Sequence, residues 1–168
     1  MIEKIDIPLD NLSGDLAATL AYWRDQGGDR FACTWHTFDL MKLPSRLIPT
    51  TVVIDVFDDT DLNVYRYWGS GMTRIHGSDL TGKSPYQIDP PDFANALRDQ
   101  HIKTRQHLLA TATMYEFQRF DSIIQRHTTL RLPLFDDEKT VCHIVAIVDP
   151  QSKAIPEQLP RFKAAVGG

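Results

Sequence analysis

Two histidine–aspartate pairs stand at a spacing that could do chemistry: His36 with Asp39, and His76 with Asp79. Three residues apart on one turn of chain, an imidazole and a carboxylate can share a proton, the minimum for general acid–base catalysis. The other reactive groups are two thiols, Cys33 and Cys142. They are too few for a disulfide framework and lack the paired C-x-x-C spacing of a zinc site, so they read as reduced, mostly buried thiols. The chain has no nucleophile elbow, no H-E-x-x-H and no dinucleotide glycine motif. A small α+β enzyme working through one His/Asp pair is one reading, although loop structure explains His76 and Asp79 more cheaply.

The elements that must position these groups are legible in the periodicity. Leu12, Leu16, Leu20 and Trp23 recur at three- and four-residue spacing, which predicts a helix over 13–26 with one apolar stripe. Ser13 or Asn11 can cap it, and Gly27-Gly28 stops it. Residues 34–49 read as a short helix and connector broken by Pro44 and Pro49. The β-branched run 51–57 predicts a strand buried on both sides, and 62–68 alternates as its hairpin partner across the acidic turn 58–61. The longest helix is predicted over 90–107, with Phe93, Ala96, Leu97 and Thr104 on one face and His101 near its edge.

Three strand-like segments follow: 109–117, 123–134 and 141–148. In the second, Ile124, Thr128, Leu130, Leu132 and Leu134 alternate with Gln125, His127, Thr129 and Arg131; the third is almost continuously apolar. A hairpin, short helices, one long helix and a three-strand meander imply an α+β chain: a five-stranded antiparallel sheet with helices over one face, preceded by an N-terminal helix. The corresponding division is a helical extension over 1–30, a domain over 31–149 and a tail over 150–168.

At 168 residues the chain suits one domain with extensions. Its 42% apolar and 24% charged content is that of a soluble globular protein, and a net charge of -4 argues against a general nucleic-acid binder. The acidic start, MIEKIDIPLD, lacks the apolar centre of a signal peptide, and no apolar run approaches the ~20 residues of a membrane span. A cytoplasmic protein with neither a membrane nor a nucleic-acid partner is expected.

The stretch 65–88, YRYWGSGMTRIHGSDLTGKSPYQI, carries the strongest resemblance. Arg66-x-x-Gly69-Ser70 followed by Gly77-x-Asp79-Leu80-Thr81-Gly82, with Tyr22-Trp23-Arg24 before and Leu132-Pro133-Leu134-Phe135-Asp136-Asp137 after, resembles a family of short bacterial proteins built from a PAS-like sensory domain. The match spans most of residues 20–149. Where that family often has an acid in the helix before Gly77, this chain has Arg74 and His76. Gly69 and Gly71 are expected to let the backbone leave the strand, Gly77 to end the helix left-handed, and Asp79 to hold an Asx-type turn. The run Gly27-Gly28-Asp29-Arg30-Phe31 superficially resembles a diguanylate cyclase signature, but too little chain precedes it for a nucleotide-binding half, so it reads as a helix stop.

The PAS resemblance implies a cavity between the sheet's inner face and the helices, with Met72, Ile75, Tyr86, Phe93, Leu97 and His101 as candidate lining for a small-molecule ligand. The cofactor stays unassigned. Haem in such a domain would take an axial histidine from the long helix, where His101 and His107 lie. A flavin photosensor would need a reactive cysteine on the helix before it, and Cys33 and Cys142 lie elsewhere. Output is expected through a signalling protein partner and a homodimer formed by the N-terminal helix, with packing of that helix on its own sheet as the alternative. The rival reading is a ligand-free interaction module using Tyr65, Tyr67 and Trp23 as exposed contact residues.

Overall fold

In the computed structural model, which describes residues 2–151, the chain opens with a strand, β1 (Ile2–Ile7), ahead of the predicted helix α1 (Gly14–Asp25). The hairpin follows as β2 (Thr51–Asp55) and β3 (Val64–Trp68), then α2 (Ser70–His76) and the long α3 (Pro91–His107). The meander closes the chain as β4 (Thr111–Gln118), β5 (Ile124–Phe135) and β6 (Val141–Asp149). All pairings are antiparallel, in the order β1-β4-β5-β6-β2-β3.

The five expected strands are present, and β1 is a sixth, paired with β4 from Ile2 to Ile7. The segment 1–30, read as helical, therefore carries a strand as well. Ile2, Ile5 and Ile7 do not keep a strict two-residue period, and Glu3, Lys4 and Asp6 stand between them, so the local pattern lacks a strand signature. Its conformation comes from the partner's edge. The tail at 150–168 lies outside the described residues beyond its first two.

Cross-strand register sorts the sheet into two faces, because paired residues point the same way. Val52, Ala146, Arg131 and Thr111 form one row; Val53, Val145 and Leu132 form the next, on the opposite face. β5 is buried at every residue from His127 to Phe135, so both faces are covered. Met72 of α2 and Phe93, Leu97 and His101 of α3 lie over the face that holds Arg131. The opposite face, with Val53, Leu130, Leu132, Val145 and Ile147 fully buried, lies under the N-terminal segment. Leu16, Leu20 and Trp23 of α1 are almost wholly buried, and the Trp23 indole N–H donates to the Pro133 carbonyl at 2.9 Å.

Helices α2 and α3 thus cover one face, as expected, and the N-terminal helix takes the other, because both parities of the central strands need covering. The α1 stripe, expected to serve a dimer or its own sheet, is buried within its own chain, each such side chain contributing about 1.5–3 kcal/mol. Trp23 and Tyr65, expected as exposed contact residues, are buried; Tyr67 is half-buried.

The central stretch holds its shape for two different reasons. Gly69 has ordinary extended geometry (φ -65°), but a Cβ there would lie 2.2 Å from the Pro49 carbonyl oxygen. Close backbone approach, not a sharp turn, demands this glycine. Gly77 ends α2 left-handed at φ 82°, its N–H donating to the Thr73 carbonyl at 2.7 Å. Asp79 then accepts from the Thr81 amide and hydroxyl at 2.8 and 2.6 Å. Beyond it the loop returns to β3: Gly82 N–H donates to the Tyr65 carbonyl and Tyr65 N–H to the Lys83 carbonyl, which covers the open edge of the sheet.

Candidate functional site

Where α2 and α3 cross the inner face of β2, β5 and β6, the side chains leave a cavity of about 20 Å³. One water-sized body needs about 10–15 Å³, whereas organic-ligand pockets run from about 300 Å³. The seam is closed in this conformation. Of the residues proposed from sequence, Met72, Phe93, Leu97 and His101 line it. Ile75 is buried but does not border it, and Tyr86 stands behind His101. The strands supply a polar floor that the sequence reading did not include: Tyr65, His127, Thr129 and Arg131.

A hydrogen-bonded chain fixes the α3 wall. Asn63 Nδ2 donates to the Tyr86 hydroxyl at 2.8 Å, and that hydroxyl lies 3.1 Å from His101 Nδ1. Having accepted from Asn63, the hydroxyl has its proton available for Nδ1, which places the imidazole proton on Nε2. Burial depresses the His101 pKa to about 3, and the charges of Arg131 and Arg98 act in the same direction. The Arg98 guanidinium lies 4.0 Å from the centre of the Tyr86 ring and pairs with Asp61, carrying the network to the surface.

A second group is aromatic. His127 sits among Phe93, Tyr115 and Phe117, and neither ring nitrogen has a hydrogen-bond partner among the described residues. Burial lowers its pKa to about 3, with His76 and Arg131 adding to the effect. His76 stacks on Phe117 with 5.4 Å between ring centres and 4° between planes. Its pKa falls to about 4 through burial, opposed by the Asp89 backbone, which lies outside hydrogen-bond geometry. Burial likewise pushes the Tyr65 hydroxyl well above its ordinary pKa, with the Arg131 charge partly opposing.

Arg131 stands out in this floor. It is fully buried, donates from Nη2 to the Tyr115 hydroxyl at 2.7 Å with its guanidinium carbon 5.4 Å from that ring's centre, and makes no ion pair among the described residues. Its Nε and Nη1 have no acceptor among the described residues. An arginine keeps its charge in proteins, and a buried charge without a counter-ion costs several kcal/mol.

The other motifs resolve into structure. His36 is exposed, while the Asp39 carboxylate accepts from the Met41 amide; His76 is buried and Asp79 is bonded to Thr81. Neither His/Asp pair forms. One pattern escapes the sequence reading, which finds no phosphate loop: Gly77-x-x-x-x-Gly82-Lys83-Ser84 fits that spacing, but no strand leads into it. Its Thr81, Gly82 and Lys83 amides are already bonded to Asp79, Tyr65 and Leu80 and are not free to cradle a phosphate. Cys33 is buried, its thiol pushed up to about 11 by burial, and Cys142 is raised in the same way; neither borders the seam. His107 is at the surface, and the closed seam has no room for a macrocycle beside His101.

No known family model matches the chain, and no curated protein matches it in sequence. Solved structures do. The dark structure of the blue-light photoreceptor Aureochrome1 LOV superposes with a TM-score of 0.50 over 78% of this chain and 95% of that one, at 16% identity. VqmA of Vibrio cholera, solved with ligand and DNA, gives 0.52 over 70% of this chain and 53% of its own, at 13% identity. The chain spans about half of that VqmA chain. A PAS domain from Colwellia psychrerythraea aligns at 0.46, covering 71% of this chain and 100% of its own at 11% identity. The architecture is the α+β PAS/LOV fold. At these identities the likeness is one of fold alone. Among the described residues, no helix is long and apolar enough to cross a membrane.

Proposed function

We propose that the chain is a PAS-type sensory module of the short bacterial kind, which admits a small molecule to the seam between sheet and α3 and passes its state to a signalling protein. The reading rests on one observation: polar atoms without partners among the described residues, on Arg131 and His127, converge on an interior cavity rather than on the surface. Apolar walls with a few convergent polar groups are the usual make-up of a ligand site. Because the seam is closed, entry requires the helical cover to move, and that movement is the signal.

The cover is fastened to an exposed apolar turn. Arg119 Nη2 donates to the Arg74 carbonyl at 2.8 Å, and the Phe120 ring lies against Gly77 at the end of α2. Phe120, Ile123 and Ile124 are each more than half exposed there. A shift of α2 would reach this turn, which suits contact with a protein, either a signalling partner or a second copy. The net charge of -4 supports a protein rather than a nucleic acid as that partner. A cytoplasmic setting without a catalytic role completes the reading.

The small cavity favours a second reading, a ligand-free interaction module. Native mass spectrometry of the purified protein, with an absorbance spectrum of the same sample, separates the two. A mass above that of the chain, released on denaturation, is the expected result. A bare chain that stays bare after exposure to cell extract would leave the interaction module standing.

A further inference from the structure

The inner face of β5 carries a charge for which the described residues supply no acidic partner, only the Tyr115 ring 5.4 Å from the guanidinium carbon. Arg131 points from the middle of the sheet into the seam, flanked on β5 by Thr129 and Pro133 and in its cross-strand row by Ala146 and Thr111. Among the described residues no acidic side chain borders the seam; its other polar members, His101, His127, Tyr65 and Thr129, are neutral. The Tyr115 hydroxyl holds one end of the guanidinium, so its plane is fixed before any ligand arrives. Nε and Nη1 retain donors with no acceptor among the described residues.

We infer that the seam is a binding site for a small organic acid, its carboxylate docked on the Arg131 guanidinium and its apolar body against Phe93, Leu97 and Met72. This inference rests on the sensory reading above and gives its ligand a chemical class. A planar fork of N–H donors matches a carboxylate in two-pronged geometry. One negative charge would neutralise the seam, because nothing else in it is charged. Thr129 and the neutral imidazoles can bond to the ligand without repelling it. The closed volume requires a compact acid and a cover that lifts to admit it.

The test is thermal melting of the full chain at constant ionic strength with millimolar acetate, butyrate or benzoate, each beside its neutral amide, with inorganic phosphate as a further arm. Wild type, Arg131→Met and Arg131→Lys are compared, and affinities follow from titration. At least one acid is expected to raise the melting temperature saturably while its amide does not. Arg131→Met should melt above the ligand-free wild type and lose the response. Arg131→Lys, which keeps charge but not the fork, should bind the acid about tenfold more weakly. Should Arg131→Met fail to fold, the acid–amide contrast in wild type and the lysine variant still decide. Amides acting as strongly as acids would overturn the carboxylate anchor and leave the sensory reading intact, as would an acid response that survives in Arg131→Met. Phosphate acting where no acid does would also overturn it. No response to either series, together with a bare chain in native mass spectrometry, would remove both.

Discussion

His76, His101 and His127 are all held neutral by burial, with pKa values near 4, 3 and 3 against an ordinary value of 6.5. Well above pH 6.5 they are neutral whether the chain is folded or not, and their contribution to stability is complete. As pH falls below 6.5 the unfolded chain takes up protons that the native chain refuses, so stability declines toward pH 4 and below. Urea unfolding at a series of pH values should show this decline, and His127→Phe should reduce its slope by about one proton. An unchanged slope would mean that His127 protonates in the folded state. The burial of Arg131 is harder to read from the sequence. Gln125, His127, Thr129 and Arg131 alternate with apolar residues, which in an isolated strand signifies a solvent-facing side. The clue lay one strand on, where 141–148 is apolar on both parities and so must be central in the sheet. A polar row beside such a strand faces the interior.

At the scale of elements, periodicity located α1, the hairpin, α3 and the meander, because each has an apolar face long enough to show its period. It did not say which surface α1 would meet. Leu16 and Leu20 look alike whether they face a second chain or a sheet. Since the stripe lies against the chain's own core, Leu20→Asp should cost about 4 kcal/mol or more and unfold the protein rather than release folded monomers. Size-exclusion chromatography with circular dichroism distinguishes these outcomes; a folded monomer would return α1 to the role of dimer interface. The sequence marks Gly69 as special, but the reason is crowding rather than an exit from the strand. A sequence can show where a glycine stands, but the Pro49 carbonyl that crowds it comes from a distant connector.

For the molecule as a whole, the meander forms a continuous block to which the other layers are added. β5 is paired on both sides and buried along most of its length, whereas α2 and α3 must part from the sheet for anything to enter. Amide hydrogen exchange should therefore find the slowest protons in β5 and β6, with α3 exchanging measurably sooner through partial opening. Equal rates in α3 and β5 would mean that the cover does not open on its own.

Strand β1 also has a history that the finished sheet conceals. Ile2 pairs with Phe117, so on the ribosome β1 is made more than a hundred residues before its partner. At about 5–20 residues per second it waits for several seconds or longer as a lone extended segment. Glu3, Lys4 and Asp6, which hid the strand from its hydrophobic pattern, give that waiting segment a charged surface that discourages premature pairing with other chains. The same polarity that makes it a weak strand alone makes it a safe one to synthesise early.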